Sequence, residues 1–352
     1  MASAPFLPRR RSRIATARPR SHVFVSSGRA LQRMRFGIQV SLLAGAATKV
    51  LRHRPVEKTR MVSLRVHLLA WTAAGLTGLA AQSGTAFAQG VQAAVTLAPH
   101  RAVYEITLDQ SKARTSVSDM TGRMVYELSG SACEGYSQSM RFVTRVVNQE
   151  GSATITDLRS TSWEDALAKA FRFTSNQLRD SKVSETTQGE ANRASSDAPG
   201  KIVLTKPAAK EIAIKRATYF PIQHSMALIE AARKGVTVFT ADLYDGSEKG
   251  EKVYNTTAYI GKAKPTGHNK TLATVAQASR LDAIKSWPVS ISYYDDATGK
   301  TDAVPSYELA FLYFENGVSR KLFIDYGDFA IRGTLSQITF LEPGKCNASV
   351  KR

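Results

Sequence analysis

The sequence predicts a mainly β protein, organised as one continuous antiparallel domain with a helix packed on it. Short β-prone runs separated by turn residues fill most of the chain after residue 100. The dipeptide Asn316-Gly317 stands between two apolar runs, and it is a strong hairpin signal because both central residues of a type I′ turn need positive φ. A clear helical spacing of apolar residues occurs over 221–234. No repeat with a period of about 20–50 residues is present, which excludes a solenoid.

The predicted strands follow one another along the chain, and many are separated by turn signals such as Glu150-Gly151 and Asp245-Gly246. Residues 185–200, rich in Ser, Asp and Gly, are predicted to form a loop or long turn. The strands are expected at 103–108, 123–128, 136–147, 153–163, 201–205, 211–215, 236–244, 253–260, 307–314, 318–325 and 329–341.

The predicted helix spans Pro221 to Lys234. Proline is favoured at the first helical position, Arg233 and Lys234 complement the negative end of the helix dipole, and Gly235 ends the helix. A second, weaker helical pattern covers 271–285.

Some strands are apolar on both faces, which a simple sandwich strand is not. In 307–314 the odd-numbered and the even-numbered residues, which face opposite sides of the sheet, are both mostly apolar. This part of the sheet is therefore predicted to be covered on both sides, by a helix or by curling around an interior. That interior is either a filled core or a groove for an apolar ligand. The candidate groove residues are Trp287, Tyr307, Leu309, Phe311 and Tyr313.

The segment from Met61 has the organisation of a secretory signal peptide. A short polar region with Arg65 precedes an apolar stretch over 68–81, and Ala86-Phe87-Ala88 fits the small-x-small cleavage rule. The apolar stretch is shorter than the roughly 20 residues of a membrane-spanning helix. We therefore predict export with cleavage after Ala88 and a periplasmic location, with an uncleaved membrane anchor as the alternative.

The strongly basic balance of the chain is concentrated before that cleavage site. The 352 residues carry a formal charge of +19, and residues 1–90, with 15 basic side chains and the single acid Glu57, account for +14 of it. Residues 1–60 are predicted to be a disordered extension upstream of the true start; a basic arm for nucleic acid or lipid and a mitochondrial presequence are the alternatives. The remaining +5 is too dispersed to indicate a nucleic-acid partner, and a chain that is 43% apolar is not wholly disordered.

The two cysteines, Cys133 and Cys346, are expected to form a disulfide, because an even pair in an exported protein usually does. Two buried free thiols or a catalytic cysteine are the alternatives. No Cys-x-x-Cys is present, and two cysteines are too few for a zinc site made of thiolates.

Motifs that carry catalysis are missing from the mature chain. Its three histidines, His100, His224 and His268, have no ligand neighbour at helical spacing, and neither a nucleophile elbow nor a phosphate loop occurs. His224 is more readily explained as a structural histidine in the first helical turn than as a base. Neither a catalytic residue nor a metal site nor a cofactor is therefore predicted.

Three charged clusters are candidates for binding sites. The motif Asp242-x-x-Asp245-Gly246-x-Glu248 has enough carboxylates for a calcium loop, but a hairpin turn explains it better because the alternating ligands of an EF-hand are missing. The pair Asp295-Asp296 is typical of loop acids. Lysines in the loop after residue 260 are more typical of a solvated face than of a nucleic-acid site; they are Lys262, Lys264 and Lys270.

A set of turn and strand motifs, in order and spacing, resembles the EipB family of envelope-integrity proteins of alphaproteobacteria over residues 96–346. The motifs are Phe220-Pro221-x-x-His224, Ala231-Ala232-x-x-Gly235, Leu243 to Glu248, Val253-Tyr254-x-Thr256, Ile260-Gly261, Trp287 to Tyr294, Pro305-x-Tyr307-Glu308, Glu315 to Ser319 and Asp325-Tyr326-Gly327-x-Phe329. The early and late cysteines of the family are present as Cys133 and Cys346.

The resemblance implies a periplasmic, disulfide-bonded protein whose antiparallel strands form a β-spiral or broken barrel wrapped around a helix, over residues 89–352. It implies a role in cell-envelope integrity without enzymatic activity, and a periplasmic protein partner of tetratricopeptide-repeat type. Three functions therefore stand as hypotheses: a non-enzymatic envelope protein acting by protein contacts, a carrier or sensor of a lipid or lipopeptide in the curved sheet, and an enzyme using His224.

Overall fold

The structure is a computed structural model that describes residues 94–111, 117–267, 275–295 and 304–346. Within these residues, fourteen strands and one α-helix, α1, form a single antiparallel sheet with a helix. The strands are β1 His100–Leu108, β2 Val117–Ser131, β3 Gly135–Asn148, β4 Ala153–Glu164, β5 Ala170–Arg179, β6 Lys182–Arg193, β7 Gly200–Lys206, β8 Lys210–Ile214, β9 Val238–Leu243, β10 Tyr254–Ile260, β11 Ser286–Asp295, β12 Tyr307–Phe314, β13 Ser319–Asp325 and β14 Ala330–Phe340; the helix α1 is Pro221–Arg233.

The sheet is continuous and has two open edges. Its strand order is β8-β7-β6-β5-β4-β3-β2-β1-β14-β13-β12-β11-β10-β9, so consecutive strands pair with each other, except that β8 and β9 lie at opposite edges and β1 pairs with β14. The edge strands are therefore β8 and β9. The predicted mainly β fold, an open broken barrel around a helix, is confirmed.

Helix α1 lies inside the curve of the sheet. Its buried side chains, among them Ile222, Leu228 and Ile229, belong to one large apolar core together with residues of β1–β3 and of β9–β14. The helix thus supplies the second layer that a curved sheet with an apolar inner face requires. It starts at the predicted proline and ends at Arg233, and Gly235 with φ +74° follows the C-cap residue Lys234.

A second, smaller core closes the far end of the spiral. Phe171 and Phe173 of β5 stack on each other, and Tyr244, which follows β9, packs edge-on against both rings. Phe220, just before α1, stacks on Phe171. Aromatic contacts therefore hold β5 to the segments that precede α1 and follow β9, and β6–β8 add aliphatic side chains to the same core.

The sequence-based prediction of a loop over 185–200 is wrong for most of its length. Strand β6 runs through Lys182–Arg193, and β5 before it was not predicted at all. The inward positions of β6 hold Thr187, Gly189 and Ala191. A Cβ on Gly189 would lie 2.8 Å from the Leu204 side chain, so close packing demands small residues here and removes the apolar alternation that marks a strand.

Two further predictions need correction. The described part of the second helical pattern, 275–285, contains a short 3₁₀ helix, Ala278–Leu281, and no α-helix. Strands β9 and β10 do pair as a hairpin, but a longer link containing another 3₁₀ turn, Glu248–Gly250, replaces the expected tight Asp-Gly turn. The predicted extension 1–60 and signal peptide 61–88 lie outside the described residues.

Candidate functional site

The five residues predicted to line an apolar groove lie in the large core. Their exposed fractions are between 2% and 6%. Tyr313 reaches the helix, where its hydroxyl donates to the carbonyl oxygen of Ser225 at 3.5 Å, and its ring packs edge-on against Phe311. On the inner face of β12, Tyr313 contacts α1. On the other face, Leu312 and Phe314 are buried as well, so both faces of this strand are covered.

Cys133 and Cys346 form a disulfide across the ends of the domain. Their Cα atoms are 5.5 Å apart, within the usual range, and 213 positions separate them in the sequence. Near the bond, the backbone N–H of Gly344 donates to the carbonyl oxygen of Gly130 at 3.1 Å. The bond fixes the segment after β14 to the β2–β3 hairpin.

His224 is fully buried in the first turns of α1 and faces aromatic rings rather than a cleft. The rings of Tyr219 and Phe239 lie 6.1 Å and 5.8 Å from its centroid, and Thr256 Oγ1 lies 3.3 Å from its Nε2. Burial lowers the pKa of this imidazole to about 4, so the neutral form is favoured. This environment is that of a structural histidine.

The acidic motif after β9 forms part of the link between β9 and β10. Asp245 is buried, and its Oδ1 accepts a 2.9 Å hydrogen bond from the backbone N–H of Ser247, as in an Asx turn. Burial raises the pKa of Asp245 and raises that of Glu248 to about 7. Asp242 instead faces Asn255 at 3.1 Å on the hairpin. Over the described ranges, no group of three or more His, Cys, Asp or Glu side chains could hold a metal ion.

The other predicted charged residues are at the surface or outside the described residues. Lys262 and Lys264 are exposed, while Lys270, His268 and Asp296 lie outside the described residues. Asp295 at the end of β11 pairs with Lys252 at 2.8 Å. His100 is buried at the start of β1 and contacts the carbonyl oxygen of Ala98 through Nδ1 at 2.7 Å.

The start of α1 is held by a buried carboxylate that the sequence did not reveal. Glu164, the last residue of β4, accepts hydrogen bonds from the backbone N–H groups of Ile222 at 2.7 Å and Gln223 at 2.9 Å. These are two of the donors that a helix N-terminus leaves without intrahelical partners. Arg193 of β6 packs over the Phe220 ring and donates to the Gln223 side chain at 2.8 Å. Burial raises the pKa of Glu164 to about 8, against the opposing effect of the two N–H donors and Arg193.

The outer face of β2–β7 forms an open trough of about 670 Å³. Twelve of its sixteen lining residues form two neighbouring rows that cross the strands, as the strand registers show, and Gln138, Ser162, Phe173 and Gly189 lie between them. One row is Glu127, Ser139, Thr161, Thr174, Gln188 and Thr205; the other is Ser129, Ser137, Trp163, Arg172, Glu190 and Val203. Most of these side chains are small and uncharged, so the trough carries little net charge and presents both hydroxyls and apolar side-chain atoms.

Trp163 is the one aromatic side chain in those two rows. The guanidinium of Arg172 lies 5.2 Å above its ring centroid, and Arg172 Nε forms an ion pair with Glu190 at 3.1 Å. Sequence reasoning placed Trp163 at the end of a strand without assigning it to a face. The alternation of Ser and Thr with larger residues in β4 is the signal that identifies its outward side.

The edge strand β9 presents a small apolar surface. Val238 of β9 and its cross-strand partner Tyr259 of β10 are both exposed, as is Val236 just before the strand. Unpaired strand edges are sites where another chain can add. At the Leu243 end of β9 this edge is covered by Tyr219, so the open part is short.

Comparisons with known proteins agree with this architecture. The family described as EipB-like matches residues 91–342. The chain belongs to the EipB-like family. The cell envelope integrity protein EipB of Brucella abortus (strain 2308) is 37% identical over 263 residues, which cover 75% of this chain and 91% of that protein.

A solved structure supports the fold of this EipB-like chain. The crystal structure of a β-barrel-like protein of the domain of unknown function DUF1849, also from Brucella abortus, matches with a TM-score of 0.65 and 36% identity. The match covers 71% of this chain and all of that one. Among the residues that the structure describes, no helix has the length and apolarity needed to cross a membrane.

Proposed function

We propose that this chain is a non-enzymatic periplasmic protein that maintains the integrity of the cell envelope through contacts with other proteins. The observation that carries the proposal is the 37% identity to a cell envelope integrity protein over 91% of that protein's length. The predicted signal peptide at 61–88, with cleavage after Ala88, would deliver the chain to the periplasm.

The absence of an enzymatic role is supported by the position of the best catalytic candidate. His224 is enclosed by Tyr219 and Phe239 inside the domain, where a substrate has no path to its ring. A general base must come within hydrogen-bond reach of the proton that it removes. An enzyme built on His224 would therefore need the core to open.

The β9 edge is the surface that we propose for protein contacts. Exposed Val238 and Tyr259 lie side by side there, and a strand edge can bind a partner both by backbone hydrogen bonds and by apolar side chains. We propose a periplasmic envelope protein as the partner, of the tetratricopeptide-repeat type that the family resemblance implies.

The alternative, carriage or sensing of a lipid or lipopeptide, has less support. Its candidate residues Trp287, Tyr307, Leu309, Phe311 and Tyr313 pack among themselves, the neighbouring strands and α1, so a lipid among them would have to displace core side chains. Opening a core of this density costs both dispersion contacts and apolar burial.

Site-specific crosslinking in the periplasm tests the proposal. A photoreactive amino acid at Val238 (49% exposed) is compared with one at Val183 (66% exposed), which lies on β6 away from the β9 edge. We expect a discrete protein adduct at position 238 and not at 183, and we expect Val238→Lys to fail to restore detergent resistance to a strain that lacks the gene. Equal crosslinking at both positions, with full rescue by Val238→Lys, would contradict a role for this edge. Lipid extraction from the same sample tests the alternative.

A further inference from the structure

We propose that the outer trough across β2–β7 binds an uncharged oligosaccharide, with the Trp163 indole as its stacking platform. The inference goes beyond the protein contacts proposed above and does not depend on them, because the trough lies on a different part of the sheet from the β9 edge.

The shape of the trough suits an extended ligand rather than a compact one. Its two rows cross six adjacent strands at right angles to the chain direction. With strands about 4.8 Å apart, the rows extend about 24 Å. Since the trough is open along its whole length, a short polymer can lie in it without threading.

The lining chemistry favours sugar hydroxyls over other ligands. Ser137, Ser139, Thr161 and Thr174 each carry a hydroxyl that can both donate and accept, which is what a sugar hydroxyl requires of its partner. The charged lining residues, Glu127, Arg172 and Glu190, sum to −1, so a polyphosphate gains no attraction. A lipid chain in the trough would leave these lining hydroxyls without hydrogen-bond partners, which is costly.

Trp163 supplies the flat apolar surface on which the C–H face of a sugar ring can pack. Arg172 lies over the indole, but the ion pair that holds Arg172 in this position is weak. The side chain of Arg172 is 63% exposed and that of its partner Glu190 is 44% exposed. An ion pair between groups this exposed contributes little to stability. A sugar can therefore replace the guanidinium on the ring, and the displaced Arg172 and Glu190 remain beside it as donor and acceptor.

A neighbouring hollow on the same outer face provides a contrast. It lies over β1–β4, is lined by Arg123, Arg141 and Arg145 together with Glu105 and Ile155, and has no aromatic side chain in its lining. Ile155 is on the same strand and the same face as Trp163, is 50% exposed, and lies outside the trough. It is the matched control position for the trough.

The test is calorimetric titration of the protein purified from the periplasm with N-acetylglucosamine tetramer and with glucose tetramer, accompanied by tryptophan fluorescence. Of the three tryptophans in the chain, Trp71 lies in the predicted signal peptide and Trp287 is buried, so Trp163 is the expected reporter. We expect at least one oligosaccharide to bind and to change the fluorescence. Trp163→Ala should weaken binding by about tenfold or more, which corresponds to about 1.4 kcal/mol.

Thr161→Arg, at an exposed trough position, tests the same site without removing packed atoms, and it should also weaken binding, whereas Ile155→Ala should not. Co-sedimentation with isolated peptidoglycan sacculi distinguishes a wall glycan from a soluble oligosaccharide as the source; binding to either supports the proposal if both trough variants reduce it. No binding of any of the three probes at millimolar sugar concentration would overturn the proposal. Binding that all three variants retain would also overturn it.

Discussion

The carboxylate of Glu164 accepts a 2.7 Å hydrogen bond from the backbone N–H of Ile222. The two residues are 58 positions apart, so the bond connects the end of strand β4 to the first turn of the helix that the sheet surrounds. The carboxyl oxygens stand at the helix N-terminus, where backbone N–H groups have no intrahelical acceptors. The contact determines where the helix begins inside the spiral.

We expect Glu164→Gln to lower the free energy of unfolding by about 1–3 kcal/mol, because the amide NH₂ would face one of the two backbone donors and leave it without an acceptor. Denaturant unfolding at pH 5 measures the change. Glu211→Gln is the control, since Glu211 is exposed and pairs with Lys201 at the surface. Equal effects of the two variants would contradict the supporting role of Glu164.

The effect of Glu164→Gln on stability should depend on pH, because the pKa of Glu164 is raised in the folded state. Burial raises the pKa of Glu164 to about 8 in the folded state, above its ordinary value of 4.5. The folded state therefore holds this proton where the unfolded state has lost it, and the associated stability is present below pH 4.5 and declines as the pH rises towards 8. We expect the stability gap between the wild type and Glu164→Gln to narrow from pH 5 to pH 8. A gap that widens would show that the carboxylate is the favoured form.

His224 should give the opposite pH dependence, with stability lost as the pH falls. Its pKa is lowered to about 4 by burial, so the folded state excludes a proton that the unfolded state binds below pH 6.5. The stability that depends on the neutral ring is therefore present above pH 6.5 and is lost as the pH falls through 4. We expect His224→Leu to flatten this acid loss, to change neutral stability by less than about 1.5 kcal/mol, and to restore the envelope phenotype fully. A folded His224→Leu protein that fails to restore the phenotype would revive the enzymatic hypothesis.

What the sequence could predict depends on how local each determinant is. Asn316-Gly317 and Pro221 act on their own chain neighbours, and the hairpin and the helix start were both predicted correctly. The turn itself is not the expected type I′, because Gly317 has positive φ and Asn316 does not. Glu164 looked like any strand residue, because its partner is far away in sequence. Strand β6 was missed because Gly189 has to be small against Leu204, a constraint set by another strand. The trough depends on the curvature of six strands, which periodicity within one strand does not report.

Gly246 should be sensitive to substitution because two segments meet at it. A Cβ there would lie 2.5 Å from the Phe173 ring, and the φ of Gly246 is +76°. Gly235 has a similar φ of +74° and nothing within 4 Å of the added atom, so Gly235→Ala isolates the backbone strain. We expect Gly235→Ala to cost about 1 kcal/mol and Gly246→Ala to cost a further 1–3 kcal/mol or so from overpacking. Thermal unfolding of both variants checks this difference. Equal losses of stability in the two variants would mean that the Phe173 ring moves aside at no energetic cost.

The Cys133–Cys346 disulfide should contribute a large part of the stability of the domain. It closes a loop of 213 positions, for which the chain-entropy relation gives about 5 kcal/mol as an upper figure. Its loss also loosens the segment after β14, which the Gly344 to Gly130 hydrogen bond would still connect to the β2–β3 hairpin. We expect the Cys133→Ser/Cys346→Ser double variant to unfold at a clearly lower temperature than the oxidised wild type. Reductant should lower the wild type to the same temperature and should leave the double variant unchanged. Equal melting temperatures for the oxidised wild type and the double variant would contradict a stabilising role, and a reductant effect on the double variant would show that the reagent acts elsewhere.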